Sequence, residues 1–380
     1  MFQNSANREH SNSEKYQARE KKFGTRDILP LWVADIDIDT PTFILDAVKQ
    51  RLEHPILGYE EIPDSAFQAQ IDWMKEQHGL TLKREEMFFS PSVLTSLNLA
   101  IQAFSNEGDE ILIQPPVYPA FASSILNNRR IVLENPLLEN NGNYTFDFED
   151  LKQKISPKTK LLILCSPHNP VGRVWKREEL LELASICLKH NIKIIADEIH
   201  CDLSFKKHTS FASLSEKIAK ETITLLSPAK TFNLSGMSIS TISIADNSMR
   251  EIFNYHYKAV HLGQGNTLAH VAFETAYRHG KTWLSELKEH LQENIDKLEK
   301  LLQEHHSKIH FRQPEATFLI WLDCRALQID DTELNQKFIS AKLGINQGIS
   351  FGTGGSGFVR LNVGVTENIL KILLKNILII

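Results

Sequence analysis

Lys230 stands in Ser227-Pro-Ala-Lys-Thr-Phe-Asn233, directly after the apolar run Thr222-Ile-Thr-Leu-Leu226. A lysine in water is protonated at neutral pH and is a poor nucleophile. One held out of water, or beside another cation, gives up its proton more easily and can form a Schiff base with an aldehyde. Most lysines are only solvated surface charge, so Lys230 acquires meaning from two residues upstream. Asp197 stands in Ala196-Asp-Glu-Ile-His200, and Asn169 in Ser166-Pro-His-Asn-Pro-Val-Gly172. An amide, a carboxylate and an amine, met in this order and spacing, suggest pyridoxal phosphate.

Each residue then has a task. Lys230 would hold the cofactor aldehyde and, once displaced by a substrate amine, take the proton from the substrate Cα. Asp197 would pair with the pyridine nitrogen and keep it protonated, so that the ring draws electrons. Its plainer role is a strand-end carboxylate capping the next turn. Asn169 would donate to the ring's phenolic oxygen, though Asn-Pro also simply starts turns. Tyr118, in Pro115-Pro-Val-Tyr-Pro119, could stack on the ring face or serve as a loop aromatic.

A phosphate needs donors. Ser90-Pro-Ser-Val-Leu-Thr95 leads into a helical pattern, and a helix N-terminus binds anions through free N–H groups. Ser92, Val93 and Leu94 would supply them, with the Ser227 hydroxyl as a second source. Arg360 sits inside the apolar run Gly357-Phe-Val-Arg-Leu-Asn362. A buried guanidinium needs an anion. The carboxylate of an amino acid fits its fork; an internal salt bridge is the alternative.

The surrounding pattern positions these groups. Glu110–Gln114, Leu161–Cys165, Ile192–Ala196 and Thr222–Leu226 read as short buried strands, with helical periodicity over residues 93–104 and 178–190. That alternation predicts a mainly parallel sheet covered by helices. In such a sheet ligands collect past the carboxyl ends of the strands. Tyr118, Asn169, Asp197 and Lys230 each lie just past one such end. Residues 238–244 add a β-branched strand. After about Asn266 the pattern shifts: a charged amphipathic helix over 284–305, a strand over 318–322, a helix over 332–343 and a strand over 358–362. The division expected is a large domain over 42–266 and a small α+β domain made of 1–41 and 267–380. Gly352-Thr-Gly-Gly-Ser-Gly357 leads into a strand and not a helix, so it is not read as a phosphate loop.

Composition narrows the class. The chain has 380 residues, 42% hydrophobic and 23% charged, with a net charge of -5. Nothing there favours nucleic acid. Cys165, Cys187, Cys201 and Cys324 form no CxxC pair and no zinc-like cluster, so reduced thiols in a cytoplasmic protein are expected, with no metal. The start lacks the apolar core of a signal peptide, and no stretch reaches the ~18 apolar residues of a membrane span. In the apolar tail, Leu370, Leu373, Leu374, Ile377 and Leu378 share a helical face, which predicts a docked terminal helix.

These motifs resemble the fold-type I pyridoxal-phosphate enzymes of the aspartate aminotransferase superfamily, and most closely the MalY/PatB group of C–S β-lyases. The resemblance runs along nearly the whole chain, through Leu29-Pro-Leu-Trp-Val-Ala-Asp-Ile-Asp37, Gly58-Tyr59, the motifs around Ser92, Tyr118 and Asn169, Ala196-Asp-Glu-Ile-His-Cys-Asp-Leu203, and those around Lys230 and Arg360. The Asp-Glu-Ile-His block is the most specific, since typical aminotransferases carry tyrosine where this chain has His200. The resemblance implies a seven-stranded-type sheet in the large domain and a homodimer with shared active sites. It implies that Tyr59 joins Lys230 and Asp197 among the catalytic residues by reaching the neighbour's cofactor phosphate. It places His200 against the cofactor, and Ala34 and Asp35 at the substrate entrance. Many superfamily members carry an arginine eight residues after the lysine. Here that position is Ser238, which leaves the phosphate to the helix terminus and hydroxyls and agrees with the MalY/PatB group.

The activity so implied is α,β-elimination from a small amino acid, a cysteine S-conjugate such as cystathionine, giving thiol, pyruvate and ammonia. An aminotransferase on the same scaffold is the alternative, because the same lysine serves both. A regulator that uses this fold only to bind is a third reading. The roughly thirty polar residues before the first motif are too few for a helix-turn-helix domain.

Overall fold

The computed structural model describes residues 2–306 and 308–380. Its centre is a seven-stranded sheet. In chain order the strands are β1 Met87–Ser90, β2 Glu110–Ile113, β3 Ile131–Glu134, β4 Thr159–Cys165, β5 Lys193–Asp197, β6 Thr222–Leu226 and β7 Ser240–Ile244. Their spatial order is β1-β7-β6-β5-β4-β2-β3. Leu161–Cys165 of β4, Ile194–Asp197 of β5 and all of β6 are buried on both faces, which suits the middle of a sheet covered on both sides. Only β7 is antiparallel to its neighbours. The remaining strands share one direction, so their carboxyl ends open on one edge.

Register brings those ends level. Cys165 pairs with Asp197, and Asp197 with Leu225. Asn169 and Lys230 each follow their strand by four residues, so sequence spacing alone sets them side by side. Helix α1, Val93–Phe104, follows β1 and buries Val93, Leu97, Ala100 and Ile101 against the sheet. Its N-terminus faces the same edge. The Ser92 hydroxyl caps it, accepting from the Thr95 N–H at 3.1 Å.

The smaller layer is a three-stranded antiparallel sheet, with β10 Phe358–Asn362 between β8 Leu319–Asp323 and β9 Asn346–Gln347. Helices α2, Lys281–His305, and α3, Glu367–Ile377, cover it. Along α3, Leu370, Leu373 and Ile377 are buried, whereas Leu378 lies past the helix end and is exposed, so the apolar face is narrower than the tail pattern predicts. Each buried leucine or isoleucine contributes about 1.5–3 kcal/mol. The N-terminal segment joins this layer: Leu29–Pro30 pairs in parallel with Leu343–Gly344. That pairing takes Leu343 out of the predicted helix, which ends at Ser340. The helix Thr267–His279 packs on Thr42–Leu52 and Asp64–His78.

Candidate active site

The strand ends, the α1 terminus and the N-terminal segment surround a cavity of about 200 Å³ that opens to solvent. Ala34, Ser92, Val93, Leu94, Tyr118, Asn169, Asp197, His200, Ser227 and Lys230 all line it. Cys165, Ile199 and Ile239 also line it, with Pro91, Ala229 and Ser235, and sequence reasoning singled out none of these for the site. Their only signal was position: Cys165 ends a strand beside Asp197, and Ile239 stands just before β7.

Lys230 Nζ donates to the Ala34 carbonyl at 2.7 Å. Burial lowers its pKa to about 8; Arg360 pushes the same way, against Asp35 and Asp197. Asp197 accepts from the Ile199 N–H at 3.1 Å, and no cationic side chain among the described residues pairs with it. Burial raises its pKa to about 6 despite that bond and the nearby Lys230. Burial also keeps His200 neutral, down to about 3, and its Nδ1 is buried without a partner. Tyr118 is only partly buried, and burial raises its phenol above the usual range.

Arg360, on β10, is not itself in the cavity wall but is joined to it through Asn169. Its guanidinium donates to Asn169 Oδ1 at 3.0 Å, Asn346 Oδ1 at 2.8 Å and the Trp32 carbonyl at 2.9 Å. No carboxylate of the described residues pairs with it, and burial lowers its pKa to about 10. The internal salt bridge weighed from sequence is therefore not present among the described residues. The Asn169 carbonyl oxygen is taken by Arg360, which turns its NH₂ toward other acceptors.

The turn holding Asn169 is itself braced. Gly172 has φ +70°, and a Cβ there would lie 2.5 Å from Pro314 Cβ. His168, kept neutral by burial, donates from Nε2 to the Pro116 carbonyl at 2.9 Å, tying this turn to the Tyr118 loop. Three expected residues stand differently from the rest. Ser227 already donates to the Ile239 carbonyl at 2.8 Å. Asp35 is not in the cavity wall; its carboxylate bonds Arg8 and Lys15. Tyr59 is 93% exposed on the single chain and touches none of these groups.

This donor set suits a pyridine aldehyde phosphate. Among the described residues it offers a low-pKa amine, a buried carboxylate lacking a cation, a buried ring nitrogen lacking a partner, and the unpaired first-turn amides of Val93 and Leu94 for an anion. A family model described as aminotransferase class I and II matches residues 26–377. The chain belongs to that family. Within it the chain groups with PatB and MalY. It is 42% identical over 356 residues to the cystathionine beta-lyase PatB of Bacillus subtilis, covering 93% of this chain and 92% of the relative. It is 31% identical to protein MalY of Escherichia coli, covering 92% and 90%. Among solved structures, cystalysin from Treponema denticola, which contains pyridoxal 5'-phosphate, superposes with a TM-score of 0.96 at 31% identity, over 100% of this chain and 98% of that one. The seven-stranded, mainly parallel sheet is that of the fold-type I class expected from sequence.

Proposed function

We propose that this enzyme is a pyridoxal-phosphate-dependent β-lyase acting on cysteine S-conjugates of the cystathionine type. The observation that carries the reading is the meeting of Lys230, Asp197 and the α1 N-terminus around one cavity, with His200 where aminotransferases carry tyrosine. Likeness to PatB and cystalysin supports it. Lys230 would anchor the cofactor, Asp197 would face its ring nitrogen, Asn169 and His200 its ring oxygen, and Ser92, Val93 and Leu94 its phosphate. When bound, the cofactor supplies an aldehyde to hold the substrate amine and a ring to take up the electron pair released at Cα.

The chain's own residues do the rest. Arg360, charged and without a carboxylate partner among the described residues, binds the substrate carboxylate. The neutral Lys230 amine takes the Cα proton; its depressed pKa makes that form accessible near neutrality. The C–S bond then breaks, its electron pair leaving with sulfur. With one water consumed, the products are thiol, pyruvate and ammonia.

The assembly proposed is a homodimer in the cytoplasm, in which Tyr59 reaches the neighbour's phosphate and the lobes divide near 1–41, 42–266 and 267–380. The exposure of Tyr59, Ile56 and Leu57 supports a covered face there, and the four free, buried cysteines suit a reducing compartment. Sedimentation of the active enzyme as a 43.3 kDa species would rule the dimer out.

The test is to incubate the holoenzyme with L-cystathionine and no ketoacid. Equimolar thiol and pyruvate are expected. Amine transfer that requires a ketoacid, without thiol, would overturn the lyase reading.

A further inference from the structure

Residues 32–38 run through the active-site region as a strap of main-chain oxygens. The Ala34 carbonyl accepts from Lys230 Nζ at 2.7 Å, and the Trp32 carbonyl from the Arg360 guanidinium at 2.9 Å. Asn362, two residues past Arg360, donates to the Val33 and Asp35 carbonyls, both at 2.7 Å. Asn233, three past Lys230, donates to the Ile36 and Ile38 carbonyls at 3.0 and 2.9 Å. The amine and the guanidinium are thus both held to one short loop, and the spacing between them follows its shape.

The loop has little regular structure of its own. The Asp37 N–H donates to the Gly364 carbonyl at 2.8 Å, in an isolated parallel bridge with Val365. What grips it from behind is the N-terminal segment. Arg8 spans two carboxylates, Nη2 to Asp35 Oδ2 and Nη1 to Asp37 Oδ1, each at 2.6 Å. Lys15, fully buried, lies 2.6 Å from Asp37 Oδ2, 3.2 Å from Asp35 Oδ1 and 3.3 Å from the Asp35 carbonyl. Two cations and two carboxylates alternate. Removing one cation leaves a pair of neighbouring carboxylates with unmatched charge, and a buried unmatched charge is costly. Ser13 steadies Arg8 from the far side, accepting from Nη2 at 2.7 Å.

We propose that Arg8 and Lys15 are positioning residues for the reaction: they lock the 32–38 strap so that Ala34 holds Lys230 and Trp32 holds Arg360 at a fixed spacing. This rests on the roles given above to Lys230 and Arg360. Neither N-terminal residue touches the cavity, so both act through the strap.

The arrangement also has an electrostatic side. The charged groups acting on Lys230 are Asp35 and Asp197, which favour its protonated form, and Arg360, which opposes it; His200 is neutral. Arg8 and Lys15 hold Asp35 ionised against the burial that would raise its pKa, and they offset its field. Taking away the Arg8 charge leaves Lys230 more exposed to the Asp35 carboxylate, so its proton stays on to higher pH.

The experiment compares wild type, Arg8→Gln and Arg8→Lys. The apo proteins are titrated from pH 6 to 10 while the rate of pyridoxal phosphate capture is followed by absorbance, and the holoenzymes are assayed for kcat and KM. For Arg8→Gln a higher capture midpoint, a fall in kcat and a rise in KM are expected together, with kcat/KM down about tenfold or more. Arg8→Lys should restore the midpoint but not kcat/KM, because one ammonium cannot span both carboxylates. A thermal midpoint that falls in Arg8→Gln while the capture midpoint, kcat and KM stay at wild-type values would reduce Arg8 to a structural role and overturn the proposal. Should Arg8→Gln not fold, Arg8→Lys with unchanged kcat and KM would overturn it equally. Thiol release by the wild type reports on the lyase reading and the capture midpoint on the strap, so the two fail separately.

Discussion

Arg360 donates to the Oδ1 of Asn169 at 3.0 Å, across 191 positions of sequence. The bond ties β10 of the smaller layer to the turn after β4. A guanidinium that would take the substrate carboxylate is thereby fixed to the amide that would face the cofactor ring. One contact between layers would then relate the carboxylate end of a bound amino acid to the cofactor ring.

Replacing Arg360 with lysine keeps a charge but loses the fork, and with it the bond to Asn169. The expected result is a KM raised about 10- to 100-fold for the amino-acid substrate, with a smaller change in kcat. Steady-state kinetics on the holoenzyme checks this. An unchanged KM would mean that the carboxylate binds elsewhere.

Among the described residues no cation pairs with Asp197, and burial has raised its pKa to about 6. A protonated ring nitrogen would supply that cation and draw the carboxylate back down. Asp197→Asn should therefore still capture the cofactor on Lys230 but lose about 10²- to 10³-fold in kcat. Absorbance and turnover measured on one preparation separate the two effects. Full turnover in the variant would remove Asp197 from the mechanism.

The Lys230 amine, lowered to about 8, is neutral in roughly one molecule in ten at pH 7. Neutral amine increases with pH, so cofactor capture by the apo protein should accelerate as pH rises through about 8 and level off above it. Stopped-flow absorbance gives the profile. A rate still climbing at pH 10 would indicate an ordinary, solvated lysine.

Much of the site was legible because strand ends announce themselves. The runs at 222–226 and 358–362 and the helix at 93–104 stand where their periodicity puts them, and the residues just past the strand ends share one cavity. Short or edge strands were not legible: β1 is Met-Phe-Phe-Ser, and β3 is partly exposed at the sheet margin. Long-range pairing was hidden as well, as at Leu343, whose partner is Leu29. Lys15 is the sharpest case. In a polar leader it reads as solvated charge, yet it is 0% exposed, because two aspartates twenty or more residues away neutralise it.

The tail gives a stability test of the same lesson. Leu373 is fully buried on α3 and Leu378 is 43% exposed. Leu373→Ala should cost about 2–5 kcal/mol, and Leu378→Ala within about 0.5 kcal/mol of nothing. Denaturant unfolding of the two variants decides it; equal losses would place Leu378 in a buried contact.

Everything proposed for the cavity passes through the Lys230 amine. The direct measurement is to load the protein with pyridoxal phosphate, reduce with borohydride, digest, and locate the added mass. One modified peptide carrying the cofactor on Lys230, absent in Lys230→Ala along with thiol release, is the predicted result. Cofactor on another lysine, or full thiol release by Lys230→Ala, would contradict the assignment.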